Sequence, residues 1–436
     1  MKKLKFLTLA AIAAATAMVS SCSDNGDLST PTKEAEGKAL VVNPTVDGSR
    51  IVTTASDHFT SFKLFGFQNP PSTQPLFFNG TDGYVYNGAI GSAWSPTVTG
   101  AKWPANSDTN SSNFYALSVN GGSSLPAYTG VDLTNIQQGK FSYTAPTTAG
   151  GDVDLSKQED ILVAKSLNAL QSDNNGVLNL PFTHAFAKIT FDFRLNSYEL
   201  NNQGLPATTG NLKDSYIYYI KTLTIHNVKL NGDYVYSSSS EDIGWSATGD
   251  LGDITYTFPT GFKVLPQHIV SSETSKYQEL IGQDNSILVV PQSFTSFWTP
   301  SESSPLTAAG DAPYIEIEGW LLNPDKTVEA LVEDCQMDES EARTFVNTYT
   351  PEYVWSHPSD VLYTDVDETE WTGEDLIMEY SFQIATGEGA PEKVYFPFPS
   401  ALSSFNENKY YNIRLNIYKG VYDTGALALR ASGIQD

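Results

Sequence analysis

The chain alternates between apolar and polar residues over many short stretches, as β-strands with one buried face do. In the clearest stretch, Ile189 to Leu195, four apolar side chains alternate with three polar ones. Just upstream, Phe182, His184 and Phe186 lie on the opposite parity. A β-bulge near Ala187 would reconcile the two parities, and we therefore expect one there.

Similar runs recur along the whole chain, separated by clusters of Gly, Pro, Asn and Ser, which is typical of a β-sandwich with long loops. An Asn231-Gly232 pair between two runs predicts a hairpin, because both residues tolerate the positive φ of a type I′ turn. In the first half, the predicted strands are 39–43, 51–54, 60–68, 84–86, 113–119, 161–165 and 185–195. In the second half, they are 216–225, 228–230, 234–236, 255–258, 287–290, 314–317, 376–384, 393–398 and 410–418.

Two stretches interrupt this β pattern. The polar residues 196–214 have no apolar period, and they predict a linker, 197–214, between an N-terminal domain, 38–196, and a C-terminal domain, 215–436.

The second interruption, 325–349, has apolar residues spaced for one face of a helix. Within it, Asp338 followed by Glu341 resembles a capping box. Together with the residues up to Trp371, it predicts a short helical insertion, about 325–371, in the second domain. The predicted fold class is therefore all-β, with two β-sandwich domains.

The first 22 residues read as a lipoprotein signal. Three lysines precede an apolar run, Leu7 to Val19, that is too short to stay as a membrane span. Small residues then precede Cys22, so we expect removal of a signal peptide, 1–21, and acylation of the Cys22 thiol. Two or more acyl chains would anchor the protein stably.

Residues 22–37 read as a lipid-anchored tether, because they are polar and lack aromatic side chains. The sequence SDNGD directly after Cys22 resembles the acidic signal that directs some lipoproteins to the outer face of the outer membrane. We therefore expect a surface-exposed outer-membrane lipoprotein.

The charge of the chain excludes some partners. Removal of residues 1–21 takes away three lysines and leaves 22 basic and 50 acidic residues, a net charge of −28. Such a surface repels nucleic acid, which is therefore not an expected partner. Beyond Cys22 the chain has one cysteine, Cys335, so no internal disulfide is expected once Cys22 is acylated.

Catalytic patterns are missing from the sequence. The five histidines lie far apart, and no GxSxG, P-loop, GxGxxG or HExxH pattern occurs. Asp365, Asp367 and Glu370 lack the glycine and the final glutamate of a calcium loop. We expect no enzyme activity, no metal and no cofactor, a structural role for His184 and an inert thiol at Cys335.

A second interpretation comes from tryptophans in loop-rich contexts. Their indole rings are large and flat, and such rings stack on sugars when they are exposed. This interpretation predicts a monomeric glycan-binding lipoprotein that presents aromatic platforms. The residues concerned are Trp94, Trp103, Trp298 and Trp371.

Several motifs, in this order, resemble the fimbrillin family over nearly the whole mature chain. The run Phe-Thr-His-Ala-Phe-Ala-Lys is the most telling of them. In the first half they are FKLFGFQ at 62–68, KWP at 102–104, NFYALS at 113–118, QEDILVA at 158–164 and LPFTHAFAKITFDF at 180–193. In the second half they are LVVPQ at 288–292, YIEIEGW at 314–320 and NKYYNIRLNIY at 408–418.

The resemblance implies two transthyretin-like β-sandwich domains and a role as a subunit of a type V pilus. Such subunits are exported as lipoproteins and then cut by a trypsin-like protease after an arginine near the start of the first domain. The matching residue here is Arg50, and the cut would leave Ile51 as the new N-terminus. The processed subunit would then belong to the fimbrium. The insertion, about 325–371, departs from the family pattern.

Loss of the first strand would open a groove for a strand of the next subunit. Other pilus subunits are therefore the expected partners. A host or bacterial surface ligand is a further expected partner, for adhesion. An unpaired sheet edge is a template for such addition. Leu40 and Val42 of the leaving segment share one side. At the other end of the chain, 425–434 reads as a short donor strand or as a frayed tail.

Overall fold

β-Strands make up most of the structure, and the all-β prediction is confirmed. The computed structural model describes residues 38–46, 59–68, 83–89, 93–96, 101–104, 109–119, 128–196, 217–236, 244–264, 266–267, 277–298, 310–322, 324–379, 391–399, 401–418 and 421–429. The signal segment, the tether and the linker, 197–214, lie outside these residues.

The strands follow one another along the chain with loops and helices between them. The first eleven are β1 (Val41–Val46), β2 (Ser61–Gln68), β3 (Tyr84–Asn87), β4 (Ser95–Pro96), β5 (Ser112–Val119), β6 (Val131–Asp132), β7 (Lys140–Thr144), β8 (Ile161–Ala169), β9 (Val177–His184), β10 (Ala187–Asn196) and β11 (Ile217–Val235). The others are β12 (Trp245–Val264), β13 (Pro266–Gln267), β14 (Gln278–Ile281), β15 (Ile287–Val289), β16 (Gln292–Ser293), β17 (Tyr314–Leu322), β18 (Val361–Thr364), β19 (Glu370–Thr372), β20 (Glu392–Pro397), β21 (Ser404–Phe405), β22 (Tyr410–Tyr418) and β23 (Val421–Leu429).

Helices are short and lie mostly in one segment. They are α1 (Pro324–Asp334), α2 (Glu339–Thr348), α3 (Pro351–Ser356) and α4 (Gly373–Glu379), and single 3₁₀ turns occur at Ile136–Gln138, Leu155–Lys157 and Asp173–Gly176. Among the described residues, no helix is long and apolar enough to cross a membrane.

Three larger sheets organise the described strands. Sheet A has the order β1-β9-β8-β5-β2-β3-β4. Sheet B has the order β20-β17-β11-β7-β6, with β12 also paired to β11. Sheet C has the order β13-β10-β22-β23, with β14 and β15 also paired to β10. A large apolar core contains side chains from all three sheets, and a second core lies on the other face of sheet A.

The change of parity before Ala187 comes from a change of sheet. Strand β9 belongs to sheet A and β10 belongs to sheet C, and the buried residues Ala185 and Phe186 connect them. The predicted bulge near Ala187 is therefore wrong. A strand that passes into another sheet presents its apolar side chains to a new neighbour, so the parity shifts without an inserted residue.

Strands from both sides of the predicted linker share sheets. In sheet B, β7 pairs with β11, and in sheet C, β10 runs parallel to β22 from Lys188↔Tyr410 to Leu195↔Ile417. The described residues from 38 onward belong to one compact unit. The division into two transthyretin-like domains remains a prediction, and the sheet pairing links the two proposed parts closely.

The hairpin predicted at Asn231-Gly232 is wrong, because both residues lie inside β11 with partners on both sides. Asn231 pairs with Thr248 of β12 and with Thr144 of β7. A Cβ on Gly232 would lie 3.0 Å from side-chain carbons of Trp245 and Val290, so glycine permits this close packing.

The helical insertion is confirmed, and its restart is capped as predicted. The Asp338 carboxylate accepts hydrogen bonds from the hydroxyl and from the backbone N–H of Ser340, at 2.7 and 2.9 Å. These bonds hold the pKa of Asp338 below its usual range. The insertion also extends further than predicted, since it includes α4.

The strand predicted for 376–384 is wrong where the structure describes it, because 373–379 form α4. The Asp375 carboxylate accepts hydrogen bonds from the backbone N–H and hydroxyl of Thr372, at 3.0 and 2.6 Å, which fixes the start of the helix. Leu376 then packs in the core of the insertion, against the outer face of sheet B at Tyr219 and Trp320.

Candidate assembly edge

Strand β1 lies at the edge of sheet A and runs parallel to β9. Its register extends from Val41↔Val177 to Val46↔Phe182. Along β1 the side chains alternate, with Val42 and Pro44 buried and Val41, Asn43 and Thr45 exposed. The alternation predicted for this segment is therefore present in the structure, and its apolar side faces the core.

The inward side chains of β1 fill an apolar cluster. Leu40 and Val42 are 5% and 6% exposed, and they belong to a core that also holds Leu178, Leu180 and Phe182 of β9 and its neighbours. Removal of β1 would expose this part of the core to water.

The start of β1 is held on both sides. The backbone N–H of Leu40 donates to the carbonyl of Ala101 at 3.0 Å, and that of Trp103 donates to the carbonyl of Lys38 at 2.8 Å. The Asn43 amide also donates to the Asn179 side chain at 2.9 Å. Beyond Leu40, the described residues pair β1 with β9 alone.

The predicted processing and lipidation residues, Arg50, Ile51 and Cys22, lie outside the described residues. The described part of β1 ends at Val46, four positions before Arg50. A cut after Arg50 would thus separate the whole of β1 from the rest of sheet A.

The candidate donor segment is partly described. Its first five residues, 425–429, belong to β23, the edge strand of sheet C, which runs antiparallel to β22. Residues 430–434 lie outside the described residues. In this chain, therefore, the described part of the candidate donor pairs with the chain's own β22.

The tryptophan platforms of the second interpretation are mostly absent from the surface. Trp94, Trp103 and Trp298 are 8%, 2% and 6% exposed and pack in apolar clusters, and Trp371 is half-buried in the insertion. The prediction of exposed rings at the first three positions is wrong, because loop-rich sequence around a tryptophan does not prevent its burial. The sequence reasoning missed Tyr353 and Trp355, which are 40% and 37% exposed.

The residues considered for catalysis or metal binding are buried or held by hydrogen bonds within the fold. His184 is 4% exposed, with Nδ1 2.8 Å from Asp160 Oδ2, and Cys335 is fully buried in the core of the insertion. The Asp365 carboxylate accepts hydrogen bonds from backbone N–H groups of Asp367 and Thr369 and from the Trp371 indole. Among the described residues, no group of three or more His, Cys, Asp or Glu side chains is placed to hold a metal.

One charged cluster escaped the sequence reasoning. His226 of β11 has Nδ1 3.0 Å from Asp253 Oδ2 of β12 and Nε2 3.6 Å from Glu316 Oε2 of β17. Burial alone would lower the pKa of His226, but the two carboxylates outweigh it and raise that pKa to about 9. Glu316 lies in the motif YIEIEGW, but the partners of its carboxylate come from other strands and could not be identified from the sequence.

Because His226 binds its proton more tightly in the folded chain, its stabilisation should be complete below pH 6.5 and should disappear as pH rises through about 9. We expect His226→Gln to remove on the order of 1–3 kcal/mol at pH 6 and little at pH 10. Urea unfolding across this range measures the difference. An unchanged pH profile for His226→Gln would contradict the prediction.

Comparison with known proteins gives a consistent class of structural neighbours. No protein-family model and no curated protein matches the sequence. A fimbrial protein from Bacteroides vulgatus is 10% identical, covers 90% of this chain and 99% of its own, and has a TM-score of 0.44. The tip fimbrial protein Mfa3 from Porphyromonas gingivalis is 7% identical, with 90% and 98% coverage and a TM-score of 0.36.

A fimbrial assembly protein from Parabacteroides distasonis is also similar, at 10% identity, with 90% and 94% coverage and a TM-score of 0.33. These three neighbours are described as fimbrial proteins, and the fimbrillin resemblance of the sequence names the same kind of protein.

Proposed function

We propose that this chain is a structural and adhesive subunit of a surface pilus, exported as a lipoprotein acylated at Cys22 and assembled by strand exchange. In this proposal a protease cuts after Arg50, β1 leaves with the lipid, and a strand of the next subunit takes its place beside β9. The observation that supports it best is the position of β1: an edge strand with alternate side chains in the core, ending just before Arg50.

The energetics of the groove favour refilling. Each backbone hydrogen bond regained with a donor strand contributes about 0.5–1.5 kcal/mol net. Each Leu or Val side chain that returns to the pockets of Leu40 and Val42 contributes roughly 1.5–3 kcal/mol more. Five or six paired residues would therefore bind strongly enough to hold subunits together.

The uncut chain should remain a monomer, because β1 is covalently attached and stays at a high effective concentration beside its own groove. The cut converts this intramolecular partner into a dissociable peptide. A donor such as 425–434 of another copy then competes with the cleaved β1 peptide for the groove, because neither is covalently attached beside it. The protein needs no catalytic residue of its own for this process, and we propose no enzyme activity for it.

Arg50→Ala should accumulate in cells as a lipidated monomer, because the switch that frees β1 is lost. Trypsin treatment of the purified wild-type chain should produce detergent-resistant oligomers and an N-terminus at Ile51, while the variant should yield neither. Arg343→Ala, which removes an exposed arginine in the insertion, is the matched control and should behave as wild type. Normal polymerisation of Arg50→Ala would show that cleavage there is not the trigger.

A further inference from the structure

The charged cluster at His226 is one end of a longer row of alternating charges on the outer face of sheet B. From Glu316 the row continues to Lys393 of β20, with Nζ 2.8 Å from Glu316 Oε1. Lys393 also lies 3.9 Å from Glu318, whose carboxylate is 3.4 Å from Lys221 of β11. The row therefore joins four neighbouring strands, β12, β11, β17 and β20.

The row ends beneath the helical insertion. Helix α3 packs against β11 and β12, and its second residue, Glu352, faces this contact. A Cβ on Gly261 of β12 would lie 3.5 Å from the Cβ of Glu352, so the glutamate side chain starts directly against the sheet. The charges of Lys221 and Glu318, the last two members of the row, act on the carboxyl of Glu352.

The carboxyl of Glu352 is poorly compensated in this position. Its Oε2 atom is buried and has no hydrogen-bond partner. Lys221, whose charge favours the ionised form of Glu352, already pairs with Glu318, which also approaches Lys393. On β12 the facing residue is Gly261, and Lys263 beyond it lies over the ring of Tyr219, 5.9 Å from its centroid. Glu352 as a whole is half-buried, and ionisation with one oxygen buried and unpartnered costs stability.

The charge of the insertion adds to this cost. Residues 324–379 contain 16 acidic and 2 basic side chains. At this end of the row, Glu318 and Glu352 both interact with Lys221, and Lys393 is shared between Glu316 and Glu318. Binding of a proton at Glu352 would remove both the buried charge and part of this repulsion.

We propose that Glu352 makes the docking of the helical insertion on sheet B sensitive to acid: its protonation tightens the contact of α3 with β11 and β12, and its ionisation loosens that contact. Burial raises the pKa of Glu352, Lys221 partly offsets this effect, and Glu318 adds to the rise. A raised carboxyl pKa means that Glu352 binds its proton more tightly when α3 is docked on the sheet than when α3 has left β11 and β12. Docking is therefore strongest at mildly acidic pH and weakens as pH rises through the raised pKa.

Hydrogen exchange of the full chain tests the proposal. After correction for the intrinsic pH dependence, the amides of α3 and of β11 near Tyr219 should be roughly threefold to tenfold more protected at pH 5 than at pH 7.5. Amides of β9, remote from the insertion, should be equally protected at the two pH values, so their ratio of protection should be close to one. Equal protection of α3 at the two pH values would overturn the proposal.

Two variants separate titration of Glu352 from a general effect of acid. Glu352→Gln is uncharged at every pH, so α3 should have high protection at both pH values and lose the ratio. Lys221→Met removes the compensating cation and should shift the midpoint of the change to higher pH. Glu370→Gln, an exposed carboxyl on β19, is the matched control and should retain the wild-type ratio. A retained ratio in Glu352→Gln, or lower protection than wild type at pH 7.5, would contradict the proposal.

Discussion

Trp245→Ala should lower the free energy of unfolding by about 3–5 kcal/mol, the cost of removing a large aromatic side chain from a packed core. Trp245 is 6% exposed, and its ring lies 5.3 Å from that of Phe186 and 5.4 Å from that of Tyr234, between centroids. Its indole N–H also donates to the carbonyl of Ala185 at 2.5 Å. The variant loses the packing and leaves that buried carbonyl without its donor.

Chemical denaturation followed by circular dichroism measures this loss. Trp355→Ala is the matched control, because it removes the same side chain from a position that is 37% exposed in the insertion. Its effect should be smaller by at least about 2 kcal/mol. Similar losses in the two variants would mean that the aromatic cluster around Trp245 is not a centre of stability.

Gly319→Ala should destabilise the chain by about 1–3 kcal/mol, although it adds a single methyl group. Gly319 is buried on β17 between Ile220 of β11 and Glu392 of β20. A Cβ there would clash with the carbonyl oxygen of Tyr219. Because that atom belongs to the backbone, the strands must move apart to accept the methyl group.

The control for this variant is Gly150→Ala. Gly150 is exposed, and the nearest atom to an added Cβ is the Thr148 hydroxyl oxygen at 3.6 Å. This substitution should be neutral or slightly stabilising, because it reduces the freedom of the unfolded chain. If Gly319→Ala unfolds at the same denaturant concentration as wild type, the close approach of β11 and β17 does not constrain the sheet.

Local sequence signals predicted local structure well. The alternation in Ile189 to Leu195 and in Tyr411 to Ile417 predicted β10 and β22, and the apolar spacing after Asp325 predicted α1. The pairing partner of each strand was not predictable from the sequence. Alternation with a period of two shows which side chains share a face, but it does not show which sheet packs against that face. The parity change at Ala187 and the Asn231-Gly232 pair were misinterpreted for this reason.

The candidate sites show the same division. The alternation at Leu40 and Val42 was visible in the sequence, and the structure places both side chains in the core. The row through His226, Glu316 and Lys393 was not visible, because its members lie on different strands and are brought together by sheet pairing alone. Glu352 is a further example, since a single glutamate at the start of a helix normally indicates an exposed first turn.

The parallel pairing of β1 with β9 has a consequence for the order of folding. Asn43 and its partner Asn179 are 136 positions apart in sequence. During synthesis from the N-terminus, β1 emerges long before β9, the one strand that pairs with it among the described residues, and contacts so distant in sequence form late. The remaining strands of sheet A, from β9 to β4, pair with one another without β1. Although β1 is synthesised before the other described strands of sheet A, it can therefore join the sheet last. The pairing from β9 to β4 can be complete before β1 pairs with β9.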